Sequence, residues 1–271
     1  MKTPTLAFIG GGNMASAVIG GLLRAGWTAD ALLVVEPVAA QRQRLIDEHG
    51  LNPLPAADGR LAGAQLVVWA VKPQLFAEAA TPCAPFIGQA LQLSVMAGVR
   101  SDAIARASGS ARVVRAMPNT PALIGAGIAG LFASAEVDAA SRALVERVLA
   151  PTGRLLWVAR EADLDAVTAL SGSGPAYFFY LVEAMVAAGV QMGLPEAQAR
   201  ELAFATCAGA AAQGLSCDEP PALLRERVTS KGGTTYAAIT HLEQAGAGET
   251  MRNAVLAAQR RAQELGDEFG R

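Results

Sequence analysis

The chain has 271 residues, 52% hydrophobic and 17% charged, which is enough for one large domain or two modest ones and too apolar for a disordered chain. A net charge of −2 offers no electrostatic footprint for a nucleic-acid partner. Cys83, Cys207 and Cys217 have no paired metal spacing and His49 and His241 are the only histidines, so no metal centre is expected; the odd thiol suits a reducing, cytoplasmic compartment.

In chain order, the runs 6–10, 32–36, 66–71, 91–98, 111–117, 127–133 and 154–159 read as strands. Their apolar residues are continuous rather than alternating, as in strands buried on both faces. Stretches 14–25 and 39–50 between them read as helices. Alternation of this kind predicts a parallel sheet with right-handed crossovers. Residues 6–12 are too short and too glycine-rich for a signal segment, so no targeting sequence is expected.

From Glu161 onward the strand runs stop, and 175–193, 195–214, 221–228, 236–244 and 249–265 read as helices that start near proline and end near glycine. The most apolar of them, 175–192, carries Glu183, Gln191 and two tyrosines and reads as a buried helix, not a membrane span. The fold class expected is α/β: a Rossmann-like dinucleotide-binding domain over 1–160, followed by an all-α C-terminal domain over 161–271.

The first strand runs into Gly10-x-Gly12-x-x-Ala15 and then a helix. In that context Gly10 allows a tight turn, Gly12 lets backbone approach a pyrophosphate, and Ala15 permits close helix–strand packing. Asn13 and Met14, at the helix start, offer free N–H groups to the phosphates. Glu36 ends the second strand, at the distance expected of the acid that binds the adenosine ribose; its charge favours NADH over NADPH, and nearby Arg42 and Arg44 soften that preference. Three further strand ends carry loop signatures, in AVKPQ (Ala70, Val71, Lys72, Pro73), MAGV (Met96, Ala97, Gly98) and MPNTP (Asn119, Thr120). The small residues let a nicotinamide lie against backbone; Lys72 offers a cation, and Asn119 and Thr120 offer hydrogen bonds to the carboxamide or ribose.

One run in the helical half is unlike its surroundings. VTSKGGTT, residues 228–235, places four hydroxyls, two adjacent glycines and a lysine in eight positions. Together with FIGGGNMASAVIGGL, AVKPQ, RAMPNTPALIGAGI and DAVTALSGSGPAYFF, in that order over about 5–265, it resembles the pyrroline-5-carboxylate reductases. Lys231, Ala15 and Met96 depart from the usual proline, glycine and alanine. The resemblance implies NADPH- or NADH-dependent reduction of 1-pyrroline-5-carboxylate to L-proline, the last step of proline biosynthesis. It also implies a homodimer, with further assembly into a ring of dimers, a decamer.

The substrate so implied is a cyclic imine with one carboxylate. Gly232 and Gly233 leave N–H groups bare before a helix starting near Thr234, which suits that carboxylate. By resemblance, Thr235 places its hydroxyl on the ring nitrogen and Glu161 lies near the substrate at the domain junction. Ser230 and the helix start after SGSGP, with Ser173, complete the cradle; Thr235 and Ser230 are the residues assigned to catalysis. Two other readings remain. A β-hydroxyacid-type dehydrogenase would need a catalytic lysine on a C-domain helix, where the only lysine is Lys231. A non-catalytic dinucleotide sensor would have no use for an intact SKGGTT.

Overall fold

In a computed structural model describing residues 5–269, the contacts divide into two compact units. The first holds the residues up to Ser173 together with those from Ala258, and the second is Gly174–Ala257.

All seven strand runs form one sheet: β1 (Leu6–Ile9), β2 (Leu32–Val35), β3 (Leu66–Trp69), β4 (Leu91–Ser94), β5 (Val113–Met117), β6 (Gly127–Ala133) and β7 (Gly153–Trp157). Their order is β2-β1-β3-β4-β5-β6-β7. In β1, β2, β3 and β5 the unbroken apolar runs have a simple cause, since residues of one strand enter different cores. Leu6 and Phe8 join one with Val18, Ile19 and Leu22, whereas Ala7 and Ile9 join another with Trp69 and Ile87. Strand β7, expected to be buried on both faces, leaves Leu156 exposed.

The sheet is not wholly parallel, as the alternation of elements predicts. β6 runs antiparallel to β5 and parallel to β7. Only a short 3-10 segment, Thr120–Ile124, and a left-handed Gly125 join β5 to β6, too little chain for a crossover. Helix α6 (Ala139–Leu149) supplies the crossover from β6 to β7.

Helices α1 (Asn13–Arg24) and α2 (Ala39–His49) match the sequence reading; α3 (Phe76–Ala80), α4 (Ala84–Ile87) and α5 (Ser101–Ser108) are further short pieces. Beyond the sheet, α7 (Asp163–Val167) continues through a π-helical turn, Thr168–Gly172. This segment belongs with the sheet: a Cβ on Gly130 would meet Val167, and one on Gly172 would meet Met117 Cε. By contacts, residues 161–173 group with the sheet unit.

The second unit holds α8 (Gly174–Gln191), α9 (Glu196–Leu215), α10 (Pro221–Arg227), α11 (Thr234–Gln244) and the start of α12 (Ala247–Phe269). Gly189 of α8 lies against Ala199 of α9, where a Cβ would come within 2.7 Å of the alanine methyl. Contrary to the sequence reading, α8 is not buried within its own chain. Only Gly174, Val182 and Gly189 are enclosed, while Phe178, Phe179, Tyr180 and Leu181 are exposed. The helix is apolar on nearly every face, and α9 is its main partner, so most of that surface stays open. By length and composition alone, Asp163–Gln191 is long and apolar enough to cross a membrane.

Candidate active site

The strand order reverses at β1, with β2 on one side and β3 on the other, and open α/β sheets bind ligands outside the strand ends at such a point. Gly10 sits there with φ +93°, and a Cβ on it would come within 2.7 Å of Ala70 O and 2.9 Å of Val71 Cγ1. Glycine is thus required both by conformation and by the closeness of the β3 end. Gly12 caps α1 without a side-chain partner, and a Cβ there would meet nothing within 4 Å. The turn therefore leaves room for a ligand beside the helix start, where Asn13 is exposed and Met14 half-buried. Ala15 is buried, as close helix–strand packing demands.

Beside this turn a slot of about 340 Å³ is lined by Ile9, Gly10, Val35, Pro37, Val71 and Leu75 among others. Its apolar walls and place at the ends of β1, β2 and β3 suit the flat adenine end of a dinucleotide. Cys83 also lines it, with burial pushing the thiol up to about 11, so it stays protonated near neutrality.

Glu36 is 7% exposed and is not a solvated loop acid. One carboxylate oxygen accepts from Gly11 N–H and the other from Val38 N–H, both at 2.8 Å. The acid expected at the ribose thus also fixes the glycine turn. Arg42 donates to the carbonyls of Glu36 and Pro37, whereas Arg44 pairs with Glu48.

The remaining strand-end residues divide. Lys72 and Thr120 are exposed, and Ala70, Val71, Pro73, Ala97 and Asn119 are half-buried. Asn119 Oδ1 accepts from Ile128 N–H at 3.0 Å and so also fixes the start of β6. Met96 and Gly98 are buried. The Met96 side chain lies in the core, and Gly98 lies beneath Leu265 and Phe269 of α12.

Glu161 is held by its own neighbours. It accepts from the Ser101 N–H and hydroxyl, both at 2.7 Å, and from Arg115 Nη1 at 2.8 Å. Burial pushes its carboxyl up, but the bonds from Ser101 and Arg115 outweigh this and hold it below the ordinary value. Arg100 pairs with Asp165 at 3.1 Å nearby. Sequence reasoning missed this network, although an arginine inside the apolar run of β5 was a usable sign: a buried charge needs a partner.

In the second unit, Gly233 caps α11 with no side-chain partner and donates its N–H to Ser230 O at 3.0 Å. A Cβ on Gly233 would lie 2.8 Å from Ser230 Oγ, and Gly232 has φ +77°. The first turn of α11 therefore opens with no side-chain cap, at two positions made for glycine. Thr234 is exposed on this turn and Thr235 half-buried, while Ser230 and Lys231 are exposed in the loop before it. Ser173 belongs to the sheet unit, where its N–H donates to Thr168 O at 2.8 Å.

Residues 161–265 match the family model described as pyrroline-5-carboxylate reductase dimerisation, and 5–98 match one described as NADP oxidoreductase, coenzyme F420-dependent. A pyrroline-5-carboxylate reductase of Pseudomonas aeruginosa is 42% identical, over 100% of both chains. The chain belongs to the pyrroline-5-carboxylate reductase family. Among solved structures, a pyrroline-5-carboxylate reductase from Coxiella burnetii superposes with a TM-score of 0.89 at 36% identity, covering 97% of this chain and 99% of that one. The Plasmodium falciparum pyrroline carboxylate reductase, solved with NADP bound, gives 0.88 at 27% identity, covering 98% and 99%.

Proposed function

We propose that this chain reduces 1-pyrroline-5-carboxylate to L-proline with NADPH or NADH, as the last step of proline biosynthesis. Full-length similarity to reductases of that name supports the activity. The observation that carries the reading at the level of residues is the glycine-opened start of α11, directly followed by Thr235. A β-hydroxyacid-type dehydrogenase would need a helix lysine, and Lys231 lies in a loop.

The glycine turn after β1 and the slot beside it fit a dinucleotide. Gly12 and the first N–H groups of α1 hold its pyrophosphate, and Glu36 the ribose end. Lys72, Ala97, Asn119 and Thr120 serve the nicotinamide end. When bound, the nicotinamide supplies hydride to the imine carbon. The protein's part is placement and exclusion of water. Backbone N–H groups after Gly232 and Gly233, with Thr234, hold the substrate carboxylate, and Ser230 and Ser173 complete the cradle. The Thr235 hydroxyl orients the ring nitrogen and passes on a proton from water; a threonine hydroxyl is too weak an acid to be the source itself. Glu161 acts from behind, through Ser101 and Arg115, rather than on the substrate.

On this reading residues 1–160 bind the cofactor, and 161–271 bind substrate and form a homodimer, from which a ring-shaped decamer is built. The compartment is the cytoplasm.

Thr235→Ala tests the assignment. One hydrogen bond to a charged group is worth about 1.5–3 kcal/mol, so turnover should fall roughly tenfold to a hundredfold. Cofactor KM should hardly move and Thr235→Ser should recover much of the rate. A wild-type rate in the alanine variant would remove Thr235 from the mechanism.

A further inference from the structure

We propose that the last turns of α12 brace the loop between β4 and α5, residues 96–100, against the cofactor, with Arg100 as the positioning residue that carries the brace. This rests on the reading that Ala97 lines the nicotinamide end.

The loop is held at both ends and in its middle. Upstream, Met96 is anchored in the core and its N–H donates to Ser94 Oγ at 3.2 Å. Downstream, Ser101 gives both its N–H and its hydroxyl to Glu161. In the middle, α12 comes close enough that two glycines are needed, one on each element. A Cβ on Gly98, whose φ is +78°, would lie 3.1 Å from Phe269 Cδ2 and 3.2 Å from Leu265 O. On the other element, a Cβ on Gly266 would run into the Arg100 guanidinium, 2.7 Å from its Cζ. That guanidinium is held in place by Nη1 and Nη2, which reach the two oxygens of Asp165 at 3.3 and 3.1 Å, so yielding to a larger residue at 266 would break this pair. Arg100 is thus clamped between the backbone of α12 and the carboxylate of α7. Ala97, between the anchored Met96 and the covered Gly98, is half-exposed.

The test is steady-state kinetics on the full chain with saturating 1-pyrroline-5-carboxylate and varied NADH. Gly266→Val should push Arg100 off Asp165 and raise cofactor KM about tenfold with kcat within about twofold, the pattern of lost binding common to ground and transition states. Arg100→Met adds no bulk and should raise KM in the same direction. Because the valine acts through Arg100, the double variant should match Arg100→Met alone rather than multiply the two effects. Arg100→Lys should recover part of the loss. Variants that lower the melting temperature while keeping wild-type KM overturn the brace, as do multiplying effects in the double variant. Ala97→Leu separates the underlying reading. If it raises KM while the Arg100 and Gly266 variants do not, only the brace fails. If it leaves KM unchanged, the loop does not line the cofactor and both fall.

Discussion

At Glu36 one carboxylate has two tasks. Its hydrogen bonds to Gly11 and Val38 pin the glycine turn, and on the proposed reading it lies beside the ribose, where a 2′-phosphate would bring more negative charge. Glu36→Ser should therefore raise the NADPH to NADH ratio of kcat/KM by about tenfold, equivalent to ~1.4 kcal/mol. Both absolute efficiencies should fall as the turn loosens. An unchanged ratio would leave Glu36 a purely structural acid. The position of Glu36 was legible from its place at a strand end, but its bonds to the turn were not, because they join residues 25 apart through a backbone shape. The same holds for Met96 and Gly98. Sequence places them at a strand end, but Met96 lies in the core and Gly98 is covered by α12. The glycine-opened start of α11, by contrast, was legible from the paired glycines, while the role of Thr235 came from the resemblance alone.

Among elements, the group around Glu161 ties β5, α5 and the segment entering α7. The carboxyl lies below its ordinary value of 4.5 in the folded chain. A depressed acid adds stability that is fully present above the unfolded value and lost as pH falls through the folded one. Glu161→Gln removes that contribution and leaves the buried Arg115 without its counter-charge, at a cost of about 3 kcal/mol near neutrality. The gap between variant and wild type in urea unfolding should be constant above about pH 5 and shrink below 4.5. A gap independent of pH would mean that the carboxylate is not the source. Strands β1, β2, β3 and β5 were legible as apolar runs because each feeds two cores, whereas β7 turns only alternate residues toward one and leaves Leu156 exposed. The direction of β6 was not legible, since it is set by the length of the connection before it. Nor was the π-helical turn at Thr168–Gly172, whose widened geometry has no composition of its own.

For the whole molecule, the exposed faces of the helical unit are the outstanding feature. Phe178, Phe179, Tyr180 and Leu181 lie open on α8, with Met251 and Leu256 open on α12. A second copy of this unit would cover such a surface, in keeping with the dimerisation family that 161–265 matches. Light scattering should give at least twice the chain mass of 27.8 kDa, and Phe179→Asp should lower it. A variant that stays at the wild-type mass would show that this face of α8 is not the contact. Chain that partitions into detergent or vesicles instead would assign α8 to a membrane. The most direct test of the function is to add 1-pyrroline-5-carboxylate to purified protein with NADH or NADPH, following nicotinamide absorbance and proline together. One proline should form for each reduced nicotinamide consumed, and neither should change without the imine. Protein that binds the dinucleotide yet leaves the imine unreduced with both cofactors would contradict it.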